Sequence, residues 1–152
     1  MNNCPFCHLT IAHKAFAELD GNIAVYNISP ILEGHSLIIP VKHYESLFEM
    51  TEDEISSFFS FARKVTAFLC EIYEADAWDW SLQEGEEAGQ SVKHLHLHII
   101  PRKPSDLKEG EEWYQKLRQQ QFEAPDNNGR HRLSETDYSK ISGHLRNSWK
   151  KQ

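Results

Sequence analysis

A run of strictly alternating residues in the second half of the chain places the tightest limit on its fold. From His94 the sequence reads His-Leu-His-Leu-His-Ile-Ile, and Pro101 follows directly. Because a β-strand sends successive side chains to opposite faces, this alternation would place three imidazoles on one face and apolar side chains on the other. The pattern therefore predicts a half-buried strand over 91–100 with a row of histidines along one face.

The spacing within this row suits chemistry on a small anion. Residues two apart on a strand lie roughly 6.5 to 7 Å apart, so neighbouring imidazoles can converge on one phosphate. Near pH 7 an imidazole is a neutral nucleophile, it can hold a proton for a leaving group, and its charged form stabilises anionic oxygens. A row that only faces solvent or only binds metal is the competing interpretation, which three histidines in strict alternation disfavour.

Three regions before the histidine row also have the sequence pattern of β-strands. Short apolar runs flank Asp20-Gly21, a dipeptide that tolerates positive φ angles, and they predict a β-hairpin between Phe16 and Ile28. A third strand is expected over 35–40, where Pro40 would end it or push it to an edge. In addition, Trp78 and Trp80 alternate with polar residues at period two, which predicts a further half-buried strand.

Two helices are expected as well. Apolar residues at spacings of three and four after Met50 predict a long helix, with Thr51 and Glu54 forming a capping box. A C-terminal helix is predicted with Ser134 as its N-cap, because Tyr138, Ile141, Leu145 and Trp149 share one face. The elements sum to an α+β fold, in which an antiparallel sheet of about five strands carries one long helix and a C-terminal helix.

The aromatic residues and the polar segment after residue 104 carry further expectations. Because they sit within regular patterns, the two tryptophans and the helix phenylalanines (Phe58, Phe59, Phe61 and Phe68) are expected in the core. Within 104–129, Trp113 and Leu117 indicate one short helix.

The overall size and charge exclude several classes of protein. A chain of 152 residues fits a single domain, which we expect to span 1–152. The net charge of -7 argues against broad contact with nucleic acid, although Lys93, Arg102 and Lys103 form a local basic cluster that is expected to steer small anions. Residues 1–16 hold no apolar stretch typical of a signal peptide or membrane span, so a cytoplasmic location without membrane contact is expected.

The loop before the histidines has the composition of an anion cradle. Gly85 and Gly89 allow backbone N–H groups to approach an anion closely, while Gln90 and Ser91 can donate hydrogen bonds to phosphoryl oxygens. An ordinary polar hairpin loop is the alternative, which the neighbouring histidines disfavour.

The N-terminal Cys4-Pro5-Phe6-Cys7 has the ligand spacing of a zinc knuckle. A redox pair or two unremarkable thiols are the alternatives, and an odd total of three cysteines fits poorly with a disulfide scaffold. A closed zinc site would need two further ligands, for which His8 and His13 are local candidates.

The run GQSVKHLHLHIIPR over 89–102 resembles the signature of the histidine-triad (HIT) superfamily, and 83–103 most resembles its fragile-histidine-triad branch of dinucleoside polyphosphate hydrolases. Similarity extends in register to Asn27, to 34–40 and to His43. The resemblance therefore covers a core of about 4–104, leaving 105–152 as a C-terminal extension.

The resemblance implies a HIT-like fold and a hydrolysis in two steps at the α-phosphorus of a nucleotide. His96 would attack that phosphorus, and water would then hydrolyse the nucleotidyl-histidine. His94 and His98 would orient the nucleophile and contact phosphoryl oxygens. The substrate-binding positions implied for the phosphate chain are Gln83, Gln90 and Ser91; Asn27 would contact the ribose, and His35 would lie behind the triad.

The resemblance also implies a structural zinc site and a homodimer. Many bacterial HIT proteins pair an N-terminal CxxC with a histidine after the Ile-Ile-Pro strand, here His43, and with the first histidine of the triad, here His94. Only His96 and His98 would then remain for the reaction. Because the fragile branch generally lacks the CxxC, this chain mixes features of two branches.

Several alternatives within and outside this family stay open. The acidic side chains of the loop, Glu84, Glu86 and Glu87, could bind Mg²⁺ carried by a polyphosphate. A nucleotidyltransferase or phosphorylase would pass the nucleotidyl group to another acceptor than water. A nucleotide-binding regulatory protein with little turnover is the rival from another class.

Overall fold

The computed structural model describes residues 4–7, 9–104, 106–112, 115 and 132–151. Helices and strands follow one another as α1 (Leu9–Lys14), β1 (Ala17–Leu19), β2 (Asn22–Tyr26), β3 (Ser36–Pro40), α2 (Glu52–Ile72), β4 (Ala77–Leu82), β5 (Leu97–Arg102) and α3 (Glu135–Trp149). Single 3₁₀ turns occupy Leu47–Glu49 and Glu86–Ala88. The α+β class is confirmed, whereas the short helix predicted around Trp113 and Leu117 lies outside the described residues.

The strands form one antiparallel sheet in the order β1-β2-β3-β5-β4, which confirms the expected five strands. The predicted hairpin is β1-β2, and its turn residues Asp20 and Gly21 both have positive φ, at 48° and 75°. Pro40 is the last residue of β3, as predicted. Since β5 inserts between β3 and β4, the strand that carries the last histidine is internal to the sheet.

One face of the sheet is covered by α2 and α3. The predicted capping box begins α2, with the Thr51 hydroxyl accepting from the Glu54 N–H and the Glu54 carboxylate accepting from the Thr51 N–H. The apolar face of α2 packs on the strands, and α3 adds Tyr138 and Leu145 to the same core. Phe58, Phe61 and Phe68 lie in this core as expected, and Phe59 packs at its margin.

The opposite face of the sheet carries a second apolar cluster, formed by Ile23, Val25, Leu37 and Ile39. The N-terminal segment covers it with Phe6, Ile11 and Ala15. Arg146 of α3 holds this segment in place by donating to the carbonyls of His13 and Ala15. Because Leu37 lies directly opposite His98 in the sheet, the imidazole of His98 belongs to this second face.

The boundaries predicted for the histidine strand are wrong. β5 starts at Leu97 and runs to Arg102, so His94 and His96 precede the strand instead of lying on it. The backbone there is held differently, with the Leu95 N–H donating to the Tyr44 carbonyl over 2.6 Å. The alternation of side chains survives, because Leu95, Leu97 and Ile99 all lie in the core under α2.

The expectation that both β4 tryptophans are buried is also wrong. Trp78 is 54% exposed and Trp80 is 37% exposed. β4 lies at one edge of the sheet, so its side chains have sheet neighbours on one side only. Trp80 packs on Phe59 and donates to the Thr66 hydroxyl, which leaves Trp78 as the more accessible ring.

Among the helices of the described residues, none combines the length and the apolar character needed to cross a membrane.

Candidate active site and metal centre

The geometry of His96 defines which of its ring nitrogens is available. Its Nδ1 lies 2.7 Å from the backbone carbonyl of His94. A carbonyl oxygen only accepts, so Nδ1 carries the proton and Nε2 keeps its lone pair. Burial lowers the pKa of His96, which keeps the ring neutral near pH 7. The side chain therefore presents a neutral, unprotonated Nε2, the form in which an imidazole is nucleophilic.

His98 and His35 form a buried pair on the same side of the sheet. The Nδ1 of His98 lies 2.9 Å from the Nε2 of His35, and the ring of His98 lies 5.1 Å from that of His96 between centroids. Burial lowers the pKa of both members, that of His35 to about 3. The outer nitrogen of His98, Nε2, is buried and has no hydrogen-bond partner among the described residues.

Asn27, for which the resemblance implies a ribose contact, lies beside this pair. Its Oδ1 accepts from the Ser29 N–H at 2.9 Å, and its Nδ2 lies 3.3 Å from the Nε2 of His35. Its backbone N–H donates to the His35 carbonyl. Asn27 and His35 are thus brought together beside His98.

The side chain of Gln90, a candidate substrate-binding residue, connects the two ends of the loop before the histidines. Gln90 Oε1 accepts from the Gly85 N–H at 2.9 Å, while Gln90 Nε2 is buried with no hydrogen-bond partner in the described part of the chain. Both Gly85 and Gly89 have positive φ, at 85° and 93°, which glycine adopts without steric cost. Gln83 is buried at 7% exposure, and Ser91 is exposed.

The acidic side chains of this loop are engaged in local contacts. Glu84 accepts from the Ser46 hydroxyl and from the Leu47 N–H, both at 2.8 Å. This contact anchors the loop to the neighbouring 3₁₀ turn. Glu86 lies 3.7 Å from the ammonium of Lys93.

The basic cluster predicted from sequence does not form a free positive patch. The Arg102 guanidinium donates to Asp79 at 2.6 Å and to Asp106 at 2.8 Å. Lys103 pairs with Glu33 at 3.2 Å, and Lys93 pairs with Glu86. The fold thus neutralises each of these charges with a carboxylate that lies distant in sequence or in the adjacent loop.

Four side chains converge at the N-terminal end of the histidine segment. Cys4, Cys7, His43 and His94 each offer one ligand atom, and all four atoms lie within 4.8 Å of one another, so the cluster could hold a metal ion. The Nδ1 of His94 is 3.4 Å from the Cys4 sulfur and 3.5 Å from the Cys7 sulfur. The Nδ1 of His43 is 3.1 Å from the Cys7 sulfur. His13, a local candidate from sequence, is not part of the cluster.

Outer contacts orient both histidines of this cluster. The Nε2 of His94 donates to the Pro40 carbonyl at 2.8 Å, which leaves Nδ1 as a lone pair facing the sulfurs. The Nε2 of His43 lies 3.8 Å from the Glu45 carboxylate. With both ring nitrogens engaged in this way, the side chain of His94 faces the cysteines, while its backbone carbonyl faces His96.

Phe6 connects the cluster to His96. Its ring packs edge-on against His94 and His96, with centroids 5.8 Å and 5.3 Å away. Phe6 lies between the two cysteines in sequence, so the loop that carries the sulfurs also forms a wall beside His96. The carbonyl of Pro40 and the carboxylate of Glu45, which contact the two histidines of the cluster, had no recognisable signal in the sequence.

The sequence of the chain is similar to those of known proteins. The HIT domain matches residues 9–105. The asymmetrical bis(5'-nucleosyl)-tetraphosphatase of Schizosaccharomyces pombe is 35% identical over 112 residues, which cover 74% of this chain and 62% of that protein. The chain thus spans somewhat less than two thirds of that relative's length.

Solved structures share the fold. A hypothetical histidine triad nucleotide-binding protein from Sulfolobus tokodaii superposes with a TM-score of 0.74 at 24% identity, covering 97% of this chain and 93% of that one. A zinc-bound histidine triad family protein from Mycobacterium smegmatis superposes with a TM-score of 0.69 at 20% identity, covering 99% and 95%.

The buried His35 should make the protein sensitive to acid. Its pKa falls from the ordinary 6.5 to about 3 on folding, so below pH 6.5 the unfolded chain binds the proton more readily. The contribution of neutral His35 to the free energy of unfolding is therefore complete above about pH 6.5. It is lost as the pH falls toward 3, by about 1.4 kcal/mol per pH unit. Urea unfolding at several pH values should show that the free energy of unfolding falls less steeply with decreasing pH in His35→Gln than in the wild type.

The matched control is His144→Gln, which removes an exposed histidine of α3. Its unfolding free energy should fall more steeply with decreasing pH than that of His35→Gln, because it keeps the buried His35. Equal slopes for His35→Gln and the wild type would contradict the burial argument.

Proposed function

The chain belongs to the HIT domain family, and from this premise we propose that it is a nucleotide hydrolase acting at the α-phosphorus of dinucleoside polyphosphates or related nucleotidyl phosphoesters and phosphoramidates. The observation that carries the proposal is the hydrogen bond from Nδ1 of His96 to the His94 carbonyl. This bond leaves the unprotonated Nε2 of a buried, neutral imidazole as the nucleophile. The name of the S. pombe relative, a bis(5'-nucleosyl)-tetraphosphatase, supports this substrate class.

In the first step, the lone pair of His96 Nε2 forms a bond to the α-phosphorus, and the bond from phosphorus to the leaving oxygen breaks. The ring becomes an N-substituted imidazolium, whose positive charge is stabilised because Nδ1–H already donates to the His94 carbonyl. The leaving polyphosphate takes the electron pair and departs as an oxyanion.

In the second step, water attacks the same phosphorus and the bond to Nε2 breaks. His96 recovers its lone pair, the nucleoside monophosphate keeps the water oxygen, and one proton passes to solvent. Imidazole suits both steps because it is a good nucleophile and a good leaving group.

The neighbouring side chains have roles that follow from their positions. His98, whose buried Nε2 has no hydrogen-bond partner among the described residues, would contact the phosphoryl oxygens. Gln90, whose Nε2 is also buried and unpartnered within the part of the chain that the structure describes, would bind the phosphate chain together with Gln83 and Ser91. Asn27 would contact the ribose, and His35 would support His98 from behind.

We propose that the cysteine-histidine cluster binds a structural Zn²⁺ through Cys4, Cys7, His43 and His94. Two thiolates and two imidazoles are a donor set that zinc prefers, and tetrahedral zinc would separate sulfur and nitrogen ligands by about 3.5 Å. The 3.4 Å and 3.5 Å contacts of His94 with the sulfurs fit that spacing. Zinc bound there would fix the side chain of His94 and so the carbonyl that orients His96.

We also propose a homodimer that pairs at the β4 edge. Among the described residues, β4 pairs with β5 on one side and has no neighbouring strand on its other side. It also carries Trp78, which is more than half exposed. Proteins usually cover such an edge, because its unpaired backbone groups and apolar side chains favour association. A second copy adding its own β4 would satisfy both.

Replacing the proposed nucleophile tests the chemistry. His96→Ala should lower kcat for a dinucleoside tetraphosphate by at least about a thousandfold, because it removes the attacking atom, while nucleotide binding persists. Acid-free quenching and mass spectrometry of the wild type should find a nucleotidyl group on the peptide that contains His96.

A wild-type kcat in His96→Ala would refute His96 as the nucleophile. Negligible turnover of the wild type on every nucleotide tested would refute the hydrolase proposal and favour a regulatory binding protein. Nucleoside diphosphate formed only when inorganic phosphate is added would indicate a phosphorylase instead.

The metal proposal predicts about one zinc per chain by elemental analysis. Cys4→Ser should lose that zinc and lower the melting temperature by about 5 to 10 °C, since about 2 to 3 kcal/mol of stability corresponds to such a shift in a domain of this size. Cys70→Ser is the control, because Cys70 lies on α2 outside the cluster. This variant should retain the metal. Wild-type protein purified without chelators and found free of zinc would refute the site.

The dimer proposal predicts that light scattering coupled to gel filtration gives twice the chain mass. Trp78→Lys should produce a monomer, because a charge at the paired edge opposes association. Phe48→Ser, which alters an aromatic residue that is 97% exposed on the 3₁₀ turn Leu47–Glu49 and is not part of β4, should leave the dimer intact. A monomeric wild type would refute the proposal.

A further inference from the structure

The hydrogen bond between His35 and His98 has two possible directions. The Nε2 of His35 and the Nδ1 of His98 are 2.9 Å apart, and both rings are buried and neutral. If His35 donates, the proton of His98 resides on its outer nitrogen, Nε2. If His98 donates, its Nε2 presents a lone pair instead. The direction therefore decides whether His98 faces the substrate as a donor or as an acceptor.

A backbone group lies at the far end of this chain of contacts. The N–H of Ile31 donates to the Nδ1 of His35 over 3.1 Å. A backbone N–H cannot accept a hydrogen bond, so Nδ1 of His35 must carry the lone pair and its Nε2 must carry the proton. That proton points to the Nδ1 of His98, which leaves the proton of His98 on Nε2.

Asn27 is the group that would favour the opposite direction. Its Oδ1 is occupied by the Ser29 N–H, so its amide nitrogen faces the Nε2 of His35 at 3.3 Å. With the direction reversed, this nitrogen could donate to His35, but the Nδ1–H of His35 would then face the N–H of Ile31 at 3.1 Å. Two donors would oppose each other there.

The Ile31 contact should prevail over that of Asn27, because its loop cannot turn away. The peptide group is planar, and the loop is fixed where the His35 N–H donates to the Leu32 carbonyl and the Gly34 N–H donates to the Tyr26 hydroxyl, both at 3.2 Å. A Cβ on Gly34 would come within 2.8 Å of Tyr73 and Pro101, so this loop is closely packed. The Asn27 contact is longer and can relax by a small rotation of the side chain.

We propose that the backbone N–H of Ile31 is a positioning group, which sets the tautomers of His35 and His98 so that His98 presents an N–H donor to the substrate phosphate. The inference rests on the proposed function. It assigns a direction to each bond: Ile31 N–H to His35, His35 Nε2–H to His98, and His98 Nε2–H to a phosphoryl oxygen.

This direction has a consequence for catalysis. A donor at Nε2 stabilises the negative charge that grows on the phosphoryl oxygens, whereas a lone pair there would repel it. Because a neutral imidazole does not give up its last proton near pH 7, His98 stabilises by hydrogen bonding and the leaving group departs unprotonated. Polyphosphate oxyanions leave readily in that form, whereas amines of phosphoramidates do not, so the tautomer favours the polyphosphate substrates.

Nitrogen-15 NMR of histidine-labelled, zinc-loaded protein tests the tautomers directly and independently of activity. In the wild type, Nε2 of His35 and Nε2 of His98 should both be protonated, and both Nδ1 atoms should be unprotonated. Asn27→Ala, which removes the competing donor, should keep this pattern. A proton on Nδ1 of His98 in the wild type would overturn the inference even if the enzyme hydrolyses nucleotides.

Substitution at Ile31 tests its effect on the reaction. Ile31→Pro removes the N–H, whereas Ile31→Ala keeps it and serves as the matched control for the lost side chain. We expect kcat to be about 10- to 100-fold lower in Ile31→Pro than in Ile31→Ala, with KM within about threefold and mixed tautomers at His98. Equal kcat values in a folded, zinc-loaded Ile31→Pro, or an unchanged tautomer of His98, would contradict the proposal.

If Ile31→Pro does not fold, as judged by circular dichroism, the wild-type and Asn27→Ala spectra decide the question. If the wild-type protein does not hydrolyse any nucleotide tested, the proposed function is refuted, but the tautomer assignment is unaffected.

Discussion

The backbone carbonyl of His94 is the contact on which the proposed site depends. It accepts from Nδ1 of His96 at 2.7 Å and so determines which nitrogen of that ring is free. The side chain of the same residue points the other way, with Nδ1 toward the two cysteines and Nε2–H on the Pro40 carbonyl. One residue thus connects the end of β3, the cysteine-histidine cluster and the candidate nucleophile, and a displacement of any of these would be felt at His96.

Much of the fold could be predicted from local sequence patterns, because the interactions involved are themselves local. The Asp20-Gly21 turn and the Thr51-Glu54 capping box depend on neighbouring residues and were predicted correctly. The exposure of Trp78 was not predictable, because it follows from the place of β4 at the edge of the sheet. Alternation likewise gave the correct faces for the histidine run but not its strand boundaries, since pairing with β3 and β4 begins only at Leu97.

The candidate site shows the same division between side chains and their surroundings. The four cluster residues followed from the resemblance, because ligand residue types and spacings are visible in sequence. The groups that orient the histidines of the site were not visible. The Pro40 carbonyl, which accepts from His94, and the Ile31 N–H, which donates to His35, belong to the backbone and carry no residue signature. The basic cluster failed for a related reason: only the folded chain shows that Asp79 and Asp106 neutralise Arg102.

The proposed polyphosphate substrate would have to be held by other means than net charge, because the chain is acidic and Lys93, Arg102 and Lys103 each lie beside a carboxylate. Buried, neutral imidazoles provide one, because each can present an oriented N–H or a lone pair without an ionic charge. A protonated His98 would attract phosphate more strongly, yet its charge beside His96 would also draw electron density from the nucleophile. Burial on the second face of the sheet, under the N-terminal segment, keeps His96 and His98 neutral. In the proposed reaction, the direction of each hydrogen bond would therefore determine which ring attacks and which ring donates.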